Sequence, residues 1–100
     1  MTESFDSMME STDRIETIWC AAIRTADGFI YSVPRPGRHE AVIQRVIRGR
    51  GSMIGAAQGF MTNFFRFVDR VEAKRIALAA KQVEEKKMTA PAQLYSEDLW

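Results

Sequence analysis

The chain has 100 residues, 46% of them hydrophobic, with 14 Lys and Arg against 13 Asp and Glu and a formal net charge of +1. One domain fits that length. Its core must be thin, because a chain this short buries only about 60–65% of its unfolded surface, and association between copies is the usual remedy. Cys20 is the only cysteine and His39 the only histidine, which excludes an intramolecular disulfide and a His-based metal cluster and fits a reducing cytoplasm.

The near-neutral total hides an uneven distribution. Residues 17–83 carry eleven cations against four acids, a net +7, and nine of the eleven are Arg; residues 1–16 carry −4 and residues 84–100 carry −2. A cationic body attracts anions, and Arg suits bidentate grips on phosphate and stacking on bases. The plainer reading is a solvated face that keeps a small protein soluble.

In chain order, residues 1–13 are acidic, polar and aperiodic, which predicts a disordered or loosely helical start and no signal peptide. A single domain over residues 14–100 follows. Residues 15–24 (IETIWCAAIR) and 29–33 (FIYSV) are apolar and partly β-branched, and the Asp27-Gly28 step between them is a strand-reversing turn, so an antiparallel hairpin is predicted. Pro34-Arg35-Pro36-Gly37 stops the second strand. The spacing then predicts a helix over residues 38–48, with Val42, Ile43, Val46 and Ile47 on one face, Arg45 and Arg48 on the other, and Gly49 and Gly51 ending it.

Residues 52–67 read as loop and short extended pieces, with Thr62-Asn63 at the tip of a second, smaller hairpin. Asp69 caps a helix running to about Gln82, with Glu72 reaching back as its capping-box partner. Residues 84–91 form a charged linker, and the ending LYSEDLW, residues 94–100, is too apolar to be idle. The expected fold class is α+β: one small domain of N-terminal antiparallel hairpins with two helices, oligomeric. No apolar run nears the roughly 18 residues of a membrane span.

Signals for catalysis are weak. There is no Walker loop and no Gly-x-Gly-x-x-Gly, and Cys20, inside an apolar strand, behaves as a small hydrophobe. No catalytic residue, cofactor or metal is expected. Anion recognition is better supported. Arg35 and Arg38 flank Gly37 just before a helix start, whose free N–H groups and dipole favour anions, and His39 is adjacent.

A second cluster spans Phe60, Asn63, Phe64, Phe65, Arg66, Phe67 and Arg70. Interleaved Arg and aromatic residues offer a flat surface for a base and a fork for its phosphate. The alternative is that Phe65 and Phe67 pack inward while Phe64 covers a contact between copies. Arg66 and Arg70 straddle the strand-to-helix junction at Asp69, where a phosphate would meet N–H groups, the dipole and two guanidiniums. On the competing reading they hold Glu72 or the tail acids. Arg75 falls within the apolar arc of its helix and must snorkel, face a ligand or pair, with Glu97 or Asp98 the simplest partners.

Several stretches together resemble a known family. They are Ala21-Ala22-Ile23-Arg24, Asp27-Gly28-Phe29-Ile30, Ser32 through His39, Gln58-Gly59-Phe60, Arg66 through Ala73, and Leu94 through Trp100. This order is similar to the phage-encoded Thoeris anti-defence protein one family, over about Ala21 to Trp100. The resemblance implies a small hairpin-and-helix domain that forms dimers or larger assemblies in the host-cell cytoplasm, with ligand at subunit contacts. It also implies a sponge, a protein that sequesters cyclic ADP-ribose isomers or cyclic oligonucleotides without cleaving them. Arg24 joins the ligand-binding set on this ground, beside Arg35, Arg38, His39 and Phe60, and then Asn63, Phe65, Arg66, Arg70 and Arg75. The chain departs from the family pattern at His39-Glu40, in the Gly- and Ala-rich stretch between Arg50 and Gln58, and at Asn63-Phe64-Phe65, where a Gly-containing turn is expected. These departures bear on which ligand is bound. Two other functions fit the residues: an inhibitor or adaptor that binds a protein through its aromatic tail, and, less well, a nucleic-acid regulator using the Arg45/Arg48 helix face.

Overall fold

The computed structural model describes residues 15–88 and 92–100. Its elements are β1 (Ile18–Arg24), β2 (Ile30–Ser32), α1 (His39–Arg50), β3 (Ala57–Thr62), β4 (Phe67–Asp69) and α2 (Arg70–Ala79), with single 3-10 turns at Glu85–Lys87 and Ser96–Asp98. The α+β class is therefore as expected. The predicted disordered start, residues 1–13, lies outside the described residues, as does the end of the predicted linker, residues 89–91.

The strands form one antiparallel sheet in the order β2-β1-β3-β4. The first hairpin closes at the predicted Asp27-Gly28 step, where Gly28 takes φ 88, a left-handed conformation that suits glycine. Ala21 opposes Phe60, which opposes Val68, so these three share a face. That face meets the helices: α1 lies on β1 and β2, and α2 lies on β3 and β4. Two apolar clusters result. Ala21, Ile23, Val33, Val42 and Val46 join the first hairpin to α1. Ile18, Phe60, Val68, Ala73, Ile76, Ala77 and Leu94 join β1, β3 and β4 to α2 and the chain's last residues.

Both helices differ from the sequence pattern at their ends. α1 runs to Arg50, and Gly51, at φ 83, is the residue that ends it. Gly49 lies within the helix, and a Cβ there would come 2.5 Å from the Tyr31 hydroxyl. Val42 and Val46 are buried, but Ile47 is 48% exposed, because only one helix face meets the sheet. α2 stops at Ala79 rather than Gln82. The chain turns away there so that Gln82 can serve β1: Ile18 N–H donates to Gln82 Oε1 (2.7 Å), and Gln82 Nε2 donates to the Ile18 carbonyl (3.0 Å). Asp69 caps α2 as predicted, accepting from Glu72 N–H at 2.8 Å. The Glu72 carboxylate does not complete the box. It pairs with Arg66 and Arg75 instead, so Arg75 is an exposed partner of Glu72 and does not reach Glu97 or Asp98.

Candidate functional site

The Pro-Gly loop before α1 does not present the open phosphate cradle that its sequence suggests. The last residues of the chain lie across it. His39 N–H donates to Ser96 Oγ (3.3 Å), Trp100 Nε1 donates to the Gly37 carbonyl (2.8 Å), and Arg38 Nε donates to the Trp100 carbonyl (2.6 Å). The His39 ring is buried. Nε2 lies 2.6 Å from the Gly59 carbonyl, which can only accept, so the proton sits on Nε2, and Nδ1 accepts from the Ser96 hydroxyl at 3.2 Å. The tail is thus a structural strap that engages Arg38 and His39.

Burial holds the His39 imidazole below its ordinary titration range, assisted by the Arg70 charge and opposed by the Gly59 hydrogen bond and Glu97. A buried neutral histidine makes stability depend on pH in a definite direction. Above pH ~6.5, where a free imidazole titrates, its contribution is present in full. As pH falls from there through the folded-state value, the unfolded chain takes up a proton that the folded one resists, and stability is lost. A Tm that declines between pH 7 and 5 in the wild type, with a flatter slope in His39→Gln, is the expected result; parallel slopes would contradict it.

The β4–α2 junction divides its two arginines. Arg66 makes a two-pronged bridge to Glu16 at 2.6 and 2.8 Å and also reaches Glu72, and its hydrogen bonds pull the Glu16 carboxyl below its usual range. Arg66 thus pairs with Glu72, as the competing reading expects, but its main partner is Glu16, which that reading does not name. Arg70 has no carboxylate partner among the described residues. Its guanidinium lies 4.5 Å from the Tyr95 ring centre and donates to Gln58 Oε1 at 2.7 Å.

The aromatic cluster also separates. Phe60 is fully buried, with its ring edge to His39, and offers no face to a base. Asn63 ties down the lead-in to β1, accepting from Thr17 N–H (2.8 Å) and donating to the Ile15 carbonyl (3.0 Å). Phe67 packs under Arg24, whose guanidinium sits 5.0 Å from its ring centre. Phe65 is 73% exposed and holds φ 62, a conformation that costs a non-glycine residue about 1–3 kcal/mol.

Phe65 finds its partner in Trp19, a residue that periodicity alone did not single out. A bulge in β1 between Ile18 and Cys20 turns Trp19 onto the sheet face opposite α1 and α2, as bulges commonly re-aim side chains. The Trp19 and Phe65 rings meet edge to face at 5.3 Å. Beside them is a cleft of about 450 Å³ lined by Trp19, Cys20, Ser32, Val33, Pro34 and Arg35, within the size range of small-molecule sites. Of the anion-binding candidates Arg35, Arg38 and His39, Arg35 alone lines it. The Arg35 guanidinium rests 5.2 Å from the Trp100 ring centre and has no carboxylate partner among the described residues. Burial pushes the Cys20 thiol up, against smaller opposing effects of Ser32 and Arg35, so it faces the cleft as a neutral thiol rather than a nucleophilic thiolate.

Among the described residues, no helix is long and apolar enough to cross a membrane, and no cluster of His, Cys, Asp and Glu could hold a metal ion. No curated protein and no solved structure matches the chain. A family model does match, over residues 17–100, which takes in the whole sheet, both helices and the tail strap: the chain belongs to the phage T4 y16D protein family.

Proposed function

We propose that this phage protein is an anti-defence sponge, which binds a cyclic nucleotide immune signal of the cyclic ADP-ribose or cyclic oligonucleotide type and withholds it intact. The observation that carries this reading is the cleft beside Trp19. It joins an exposed aromatic ring, an apolar wall and the Arg35 guanidinium, which has no carboxylate partner among the described residues, the elements that a base and its phosphate require. Its neutral Cys20 thiol, with no histidine beside it, supports binding without cleavage, since His39 is buried under the tail. The exposed Trp19–Phe65 pair supports association between copies as part of the same reading. The alternative of a protein contact through the aromatic tail loses its support, because Leu94 and Ser96 are buried and Trp100 is tied to Gly37.

A thermal-shift screen against cyclic nucleotides is expected to give a saturable rise in Tm for at least one of them. The bound compound, released by denaturant and chromatographed, is expected to be unchanged. No stabilising ligand, or recovery of a linear product, would contradict the proposal.

A further inference from the structure

A second cleft, of about 330 Å³, lies at the start of α2 and is lined by Ala56, Gln58, Asp69, Arg70, Val71 and Gln93. Its polar groups are arranged one-sidedly. Gln58 Oε1 accepts from Arg70 Nη2 (2.7 Å), and Gln93 Oε1 accepts from the Tyr95 hydroxyl (3.4 Å). Both amide carbonyls are therefore engaged within the protein, which leaves both amide NH2 groups as donors. The Asp69 carboxylate accepts the Glu72 N–H. Arg70 is the fixed element, its plane set by the Tyr95 ring. The Leu94 N–H donates to the Arg70 carbonyl at 3.0 Å and ties the Gln93–Tyr95 stretch to the helix start. Arg70 Nε is buried with no hydrogen-bond partner among the described residues, and an unsatisfied buried donor calls for an ion or water to complete it.

With the two amide oxygens engaged and the amide NH2 groups facing the cleft beside the Arg70 charge, the lining favours an anion with several oxygens. We propose that this cleft is a binding site for an oxyanion of the diphosphate class, held by Arg70 with the amides of Gln58 and Gln93 and the first N–H groups of α2. It is distinct from the Trp19 cleft and stands without the sponge reading. Among the residues described as lining the cleft, the opposing charge is Asp69, which gives the site an internal control: Asp69→Asn keeps a capping side chain while removing the repulsion.

The test is a titration of the full chain with inorganic pyrophosphate, followed by calorimetry and by NMR of the Arg70 and Val71 backbone amides and the Gln58 and Gln93 side-chain amides. One site per chain is expected, with shifts at those four groups that sodium chloride of equal ionic strength does not reproduce. Arg70→Met is expected to weaken binding about tenfold to a hundredfold, and Asp69→Asn to strengthen it. ADP in place of pyrophosphate separates the two sources: tighter binding of ADP identifies the diphosphate of a nucleotide, and equal or weaker binding identifies free diphosphate. The proposal is overturned if the four groups do not shift, if chloride shifts them equally, or if both variants, folded by their NMR spectra, bind pyrophosphate like the wild type.

Discussion

Leu94→Ala is expected to lower the Tm by more than about 10 °C, a large effect for a residue six positions before Trp100. Leu94 is fully buried in the cluster that joins Ile18, Phe60 and Val68 to α2. Truncating such a leucine costs about 2–5 kcal/mol in transfer energy and cavity, a major part of the 5–15 kcal/mol that holds a domain folded. Each kcal/mol moves Tm by about 4–8 °C at this size. The adjacent strap amplifies the loss, since Ser96 and Trp100 satisfy the α1 start and the Gly37 carbonyl only while Leu94 anchors them. Calorimetric melting checks this. A shift of 2 °C or less would show that the tail is an accessory and not part of the core.

Gly59→Ala is expected to be comparably damaging. A Cβ at Gly59 would stand 2.1 Å from the Val68 carbonyl oxygen and 2.7 Å from Phe67 Cζ. The first of these is backbone and cannot swing away, so the β3–β4 pairing must open. That pairing carries Asp69, the cap of α2, directly opposite Gly59. The cost is expected at or above the upper end of the ~1–3 kcal/mol typical of overpacking. Gly49→Ala is the contrasting control. Its new Cβ meets only the tip of Tyr31, which can rotate, while alanine favours the helix by about 1 kcal/mol. Near-neutral melting of Gly49→Ala beside a strongly lowered Tm for Gly59→Ala is the expected pair, and equal effects would refute the steric account.

Local signals in the sequence foretold local structure. Asp27-Gly28 marked the first hairpin because its geometry is set within a few residues, and Asp69 marked the start of α2 because capping is a contact over three residues. The site was less legible because it depends on contacts distant in sequence. The free N–H groups of α1 looked available to an anion, and nothing nearby indicated that Ser96 and Trp100 would fold back on them. Arg66 and Arg70 are equivalent in the sequence. Glu16, fifty residues before Arg66, engages one of them and leaves the other to Tyr95 and Gln58. The role of Trp19 is not legible in the sequence because one bulged residue, which no alternation pattern reveals, decides the face onto which it points. The sequence left open whether Phe65 faces a ligand or packs inward; it is exposed, and its left-handed backbone needs the whole Thr62–Arg66 turn, closed by the Phe65 N–H to Thr62 carbonyl bond at 2.9 Å.

The sponge reading rests on the Trp19 cleft, and one measurement addresses it most directly: calorimetric titration of the stabilising cyclic nucleotide into the wild type, Trp19→Ala and Arg35→Ala at matched folded fractions. Both side chains are at least partly exposed, so neither change should cost much stability. Removing the Arg35 charge is expected to weaken binding about tenfold to a hundredfold, and losing the Trp19 ring about fivefold to a hundredfold. Unaltered affinity in both folded variants would contradict the account and place the nucleotide elsewhere on the molecule.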